Sequence, residues 1–154
     1  MTDMVENLDK LENALSQLQC VLVARRARYT PEAVSWAQYD ILEILRLHGA
    51  MTPSLMGERL GVARSGISKS LRVLKDLCLV EQLQGTDDRR EQSTGLTTGG
   101  RDFLMRAAAG RHDAARSVAA ILSPGEQAMF AELCEKTCLA LENARPSDLD
   151  GHCD

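Results

Sequence analysis

The sequence predicts a mainly α-helical fold of six helices with one small β-hairpin, and three observations carry that prediction. Only five of the 154 residues are aromatic (Tyr29, Trp36, Tyr39, Phe103 and Phe130), so the core must rest on Leu, Val, Ile and Ala, which suits helix packing. Helix-start signals recur: Ser35 with Gln38, Thr52 with Pro53, and Ser123 with Pro124 and Glu126. Two short runs, LVEQL at 79–83 and the neighbourhood of Thr94–Leu96, read as strands flanking the polar stretch GTDDRR at 85–90.

The elements follow in order. Met4, Leu8, Leu11, Leu15, Leu18 and Leu22 are spaced 4, 3, 4, 3, 4, a heptad-like stripe on a first helix over about 3–28. Such a stripe packs either against its own domain or against a second chain. After Thr30-Pro31, a capping box at Ser35 opens a helix that runs to His48 and stops at Gly49, with Val34 and Tyr39 placed as a hydrophobic staple. Thr52-Pro53 opens a short helix ending at Gly61. Another helix spans about 64–77. Thr97 or Thr98 caps one long helix to about Ala120, despite Gly99 and Gly100 in its first turn. The last helix runs from Ser123 to about Asn143, and a frayed tail follows.

The length fits one domain with helical extensions. Apolar residues make up 44% and charged residues 26%, enough for a real core. No apolar run approaches the ~20 residues a membrane span needs, and the acidic start MTDMVENLDK does not read as a signal peptide. Five scattered cysteines (Cys20, Cys78, Cys134, Cys138 and Cys153) argue for reduced thiols and a cytoplasmic location. The net charge is −4, but it divides unevenly. Residues 1–51 carry five basic and seven acidic side chains, 52–101 eight and six, and 102–154 five and nine. Only the middle has a basic excess, and a local patch is what phosphate contact requires.

A short helix, a glycine turn and a two-faced basic helix make a helix-turn-helix. In the second helix Ile67, Leu71, Leu74 and Leu77 share one face, while Arg64, Ser65, Ser68, Lys69, Arg72 and Lys75 occupy the other, with no acid before Asp76. Placed in a major groove, Arg64 and Lys69 can donate to guanine acceptors or phosphate, and Ser65 and Ser68 to bases or backbone. The blander alternative is an ordinary solvated helix face. A hairpin directly after such a helix is a wing whose tip lies over the neighbouring minor groove, where arginine is favoured. Asp88 would then orient the tip, with Arg89 beside it, while Arg90 inserts. The alternative is a solvated turn with ion pairs worth about 0–1 kcal/mol.

The run from Thr52 to Leu104 resembles the winged helix-turn-helix core of the MarR family of bacterial transcriptional regulators. Its most specific piece is Asp88-x-Arg90, followed after five intervening residues by Leu96-Thr97, with Gly100 in the next turn. The resemblance implies a homodimer on a roughly palindromic double-stranded operator, with the N- and C-terminal helices as the dimerisation region. On that reading residues 1–34 are a dimerisation helix and connection, 35–100 the DNA-binding lobe, 101–145 dimerisation helices and 146–154 a flexible tail. Four departures from the family pattern stand out. Ala63 replaces a serine cap, Gly57 replaces an alanine, Thr94 and Gly95 weaken the second wing strand, and Cys78 occupies the place of a helix-ending glycine. If that site needs a left-handed backbone, a cysteine carries strain of about 1 kcal/mol or more.

The resemblance also implies release from DNA by a small phenolic or other ligand, or by thiol oxidation. Tyr29, Trp36 and Tyr39 can line a pocket, with Arg25, Arg28 or His112 holding an anion, or they can be plain core residues. Cys20 lies off the leucine stripe, near Arg25 and Arg26, and is a candidate redox sensor or an inert thiol. Cys78 and Cys153 are the other redox candidates. Cys134 and Cys138, one turn apart, are too far for an unstrained disulfide and read as core or dimer-interface residues. Combined with His152 and Cys153 they offer four soft ligands, but the spacing is no zinc signature, and neither metal nor cofactor is expected. No motif pairs a histidine with a cysteine, so a thiol enzyme is not expected. A winged helix used only for protein contact remains the rival reading.

Overall fold

The computed structural model describes residues 2–29, 33–83 and 92–144. In chain order the described elements are α1 (Thr2–Arg26), α2 (Trp36–His48), α3 (Pro53–Leu60), α4 (Arg64–Asp76), β1 (Val80–Leu83), β2 (Ser93–Leu96), α5 (Thr98–Arg106), α6 (Ala109–Ala119) and α7 (Pro124–Asn143). The expected mainly α fold with a small antiparallel wing is present, but the described residues form seven helices, not six. The single long helix expected from Thr97 to Ala120 is divided at Ala107–Ala108.

No proline or exposed glycine makes that break. The backbone ladder shortens there, with Ala108 N–H donating to Met105 O at 3.2 Å. The two halves dock on different partners. Leu104 of α5 is buried against the central core, whereas Gly110 of α6 lies under the Tyr29 ring, which a Cβ would meet at 3.0 Å. One straight helix would satisfy only one of those contacts.

Local signals set most other boundaries. Ser35 and Gln38 form the reciprocal capping box of α2, and Gly49 ends the helix with φ +79°. Thr52 caps α3 by accepting from Leu55 N–H, and Gly61 closes it in the left-handed region. Ser123 and Glu126 form a second box at α7. There the Ser123 backbone N–H, and then its hydroxyl, hold the Glu126 carboxyl below the usual carboxylate range.

The core gathers Ile41, Leu42 and Leu45 of α2, Met56 of α3, Ile67 and Leu74 of α4, Val80, Leu96 and Leu104. The wing strands pair in register Val80↔Leu96 through Leu83↔Ser93. Thr94 also exchanges both backbone hydrogen bonds with Met51, at 3.1 and 2.9 Å, so the second strand is held from both sides. That pairing offsets the poor strand preference of Thr94-Gly95. The small size of Gly95 has a use too, since a Cβ there would stand 3.1 Å from Leu83 Cδ1.

The outer helices contrast with this core. Met4, Leu8, Leu11, Leu15, Leu18 and Leu22 of α1 are all exposed, as are Met129, Leu133, Leu139 and Leu141 of α7. Among the described residues neither helix has a buried one in the single chain.

Candidate nucleic-acid interface and adjoining cavity

The helix-turn-helix is fixed by α3, Gly61 and α4. Gly61 adopts φ +63°, and Val62 N–H donates back to Gly57 O at 3.0 Å. A Cβ on Gly57 would stand 2.7 Å from Val62 O, so this tight return is what the glycine permits. Ala63 makes no side-chain cap, as its lack of a polar oxygen dictates. Ile67 and Leu74 anchor α4 to the core. The opposite face leaves Arg64, Ser65, Ser68, Lys69 and Arg72 all exposed, and Lys75 bridges to Gln82 of β1 at 3.1 Å. Five donors thus share one outward helical surface next to the wing. The tip residues Asp88, Arg89 and Arg90 lie outside the described residues, and so do Cys153 and His152.

Cys78 is left-handed, with φ +56°. Its carbonyl accepts from the Thr97 hydroxyl at 2.6 Å, and the same hydroxyl oxygen accepts from Gly100 N–H at 2.9 Å to cap α5. At Gly100 a Cβ would sit 2.1 Å from Leu79 O, so no larger residue fits. Cys20, Cys78, Cys134 and Cys138 are all exposed, single thiols. Among the described residues no cluster of three metal-ligating side chains exists. No described helix is long and apolar enough to cross a membrane.

Behind the helix-turn-helix, α1, α2, α5 and α6 line a cavity of about 750 Å³. Tyr29, Trp36 and Tyr39 all line it, together with Arg25, while Arg28 and His112 do not. Trp36 and Tyr39 pack edge to face at 5.4 Å, and the Arg26 guanidinium stacks 4.2 Å above the Trp36 ring. Tyr39 belongs to the core and to the cavity wall at once.

Three arginine–carboxylate pairs ring this cavity, each joining two helices. Arg25 of α1 meets Asp113 of α6, which also accepts from the Tyr29 hydroxyl at 3.0 Å. Arg26 of α1 meets Asp40 of α2 at 2.6 Å and donates to Trp36 O at 3.1 Å. Arg111 of α6 donates to the Tyr39 hydroxyl oxygen at 2.5 Å and to Glu43 of α2 at 3.2 Å. Arg106 also lines the wall, without a carboxylate partner among the described residues. The sequence reading missed Asp40, Glu43, Arg106 and Arg111. One signal was there: Trp36, Tyr39, Asp40 and Glu43 follow an i, i+3, i+4, i+7 pattern that places them on a single face of α2.

Residues 34–91 match the model of the MarR family. No curated protein is similar enough in sequence to be matched. Among solved structures, the chain resembles BpsR of Bordetella bronchiseptica, whose DNA binding is regulated by 6-hydroxynicotinic acid. That match has 21% identity and a TM-score of 0.61, covering 83% of this chain and 98% of the other. It resembles a mutant MarR of E. coli complexed with operator DNA at 23% identity and a TM-score of 0.56, covering 80% and 93%. The PcaV transcriptional regulator of Streptomyces coelicolor, in complex with its natural ligand, matches at 24% identity and a TM-score of 0.56, covering 85% and 91%. The basic α4 and the wing that follows it agree with these findings: residues 34–91 match the MarR family, and the chain shares the winged helix-turn-helix fold of these solved regulators.

Proposed function

We propose that this protein is a dimeric, sequence-specific repressor that holds a palindromic operator and is released by a small anionic aromatic ligand. The observation that carries the reading is the outward face of α4, where Arg64, Ser65, Ser68, Lys69 and Arg72 are all exposed beside the wing. In a major groove Arg64 and Lys69 reach base edges and Arg72 reaches phosphate, because the first turns of such a helix point inward. Asp88, Arg89 and Arg90 act as the wing contact, on the strength of their sequence pattern.

Dimerisation through α1 and α7 is supported by their continuous exposed apolar residues, which a lone chain leaves in water. On this reading 1–34 and 101–145 flank a DNA-binding lobe of 35–100. A twofold dimer sets two α4 helices about one DNA turn apart, about 34 Å.

The ligand arm rests on the cavity. Its volume suits a small aromatic molecule, its wall carries Tyr29, Trp36 and Tyr39, and Arg106 offers a cation. BpsR, regulated by 6-hydroxynicotinic acid, supports the same chemistry by analogy. Oxidation of Cys20, Cys78 or Cys153 is the second route to release. Its support is the exposure of Cys20 and Cys78.

Footprinting on the DNA upstream of the protein's own gene tests the reading. Two protected half-sites one turn apart are expected. Uniform protection of any duplex contradicts specific dimeric binding.

A further inference from the structure

We propose that Arg111 is an exchangeable arginine: an anionic ligand entering the cavity takes it from Glu43, and Arg46 keeps Glu43 neutralised when it leaves. This inference rests on the reading of the cavity as a site for an anionic aromatic ligand.

The three ringing pairs are not equivalent. Among the described residues Asp113 has Arg25 as its only cation, and Asp40 has only Arg26. Drawing either arginine away leaves a part-buried carboxylate without a counter-charge, which is costly in a restricted dielectric. Glu43 differs, because two cations hold it. Arg111 reaches its Oε2 at 3.2 Å from α6, while Arg46, one turn along α2, donates to both oxygens at 2.6, 3.1 and 3.2 Å. The Arg46 fork is the tighter and the more complete of the two. Its guanidinium is held more firmly protonated by the hydrogen bond to Glu43. Loss of Arg111 therefore leaves Glu43 still paired.

Arg111 is also placed to turn. Its guanidinium donates to the Tyr39 hydroxyl oxygen, to Glu43 and to the Leu104 carbonyl, and Tyr39, Glu43 and Arg111 all line the cavity. A ligand carboxylate beside Tyr39 offers Arg111 a bidentate partner in place of its longer contacts to Glu43, at 3.2 Å, and to the Leu104 carbonyl, at 3.4 Å. The exchange costs the tie between α2 and α6, the one ion pair among the described residues that joins the DNA-binding lobe to α6. Ligand entry is thereby coupled to loosening of the lobe, which a tightly bound but uncoupled molecule would not achieve.

Arg46 is the discriminating residue, because it does not line the cavity and touches the ligand only through Glu43. Trp36 is the chain's single tryptophan and lies in the cavity wall, so its fluorescence reports binding directly. The probe is 4-hydroxybenzoate, with uncharged 4-hydroxybenzamide as the control. Glu43→Gln removes the competitor for Arg111 and should tighten 4-hydroxybenzoate about tenfold. Arg46→Gln leaves Glu43 dependent on Arg111 and should weaken it about threefold to fivefold. In the double variant the Arg46→Gln effect should vanish, because Arg46 acts only through Glu43. The benzamide should be indifferent to all three changes. Thermal melts confirm that each variant is folded. Binding in the parent with additive or absent variant effects overturns the exchange and leaves the ligand site standing. No quenching in the folded parent at millimolar 4-hydroxybenzoate overturns both.

Discussion

The Thr97 hydroxyl donates to the Cys78 carbonyl at 2.6 Å, tying the end of α4 to the cap of α5. The bond is made possible by the left-handed turn at Cys78, φ +56°, which aims that carbonyl at α5. A side chain with a Cβ is strained in that region, whereas glycine is not.

Cys78→Gly should therefore stabilise the protein, although glycine gains freedom in the unfolded chain. The strain relieved exceeds that penalty by about 0.5–1 kcal/mol, read as a rise of about 2–3 °C in Tm. An unchanged or lowered Tm would mean that the cysteine makes compensating contacts.

Gly100→Ala should do the opposite. Alanine is the better helix former by about 1 kcal/mol, but its Cβ would overlap Leu79 O at 2.1 Å. Overlap with backbone wins, since the α5 start must shift and the Thr97 cap with it. A loss of about 3 kcal/mol or more is expected by denaturant unfolding. Gly57→Ala, with its Cβ 2.7 Å from Val62 O, should show a smaller loss and a misplaced turn.

The leucine stripe should respond to charge. Leu11 and Leu15 are exposed in the single chain, so Leu11→Glu with Leu15→Glu costs the monomer little. If α1 meets a second copy, both glutamates become buried beside like charges, and the dimer dissociates. Sedimentation should show a single-chain mass for the variant and twice that for the parent. A parent that sediments as one chain would remove the dimer from the account.

Much of this molecule was legible because its signals are local. The capping boxes at Ser35 and Ser123, Thr52-Pro53, and the terminal glycines Gly49 and Gly61 each act within four residues, and each sits where its chemistry requires. The left-handed site at Cys78 was legible through the family resemblance, which marks a glycine there. What was not legible depends on distant partners. Ala107 and Ala108 carry no breaker, and the helix divides because Leu104 docks on the core while Gly110 sits under the Tyr29 ring. The Met51–Thr94 pairing that steadies the wing joins residues 43 positions apart. The cavity's charge ring was hidden likewise, since Arg111 finds Tyr39 and Glu43 across about 70 residues of chain.

The central claim is that the exposed face of α4 reads DNA. It is tested most directly by fluorescence anisotropy at fixed moderate salt, comparing duplexes from upstream of the protein's own gene with a random duplex, for the parent, Arg64→Ala and Arg72→Ala. The account predicts a tight upstream complex. Arg64→Ala should lose about 1–3 kcal/mol of discrimination. Arg72→Ala should weaken both duplexes alike and lower the salt slope by about one. Equal affinity of the parent for both duplexes, or no response to either substitution, would contradict it.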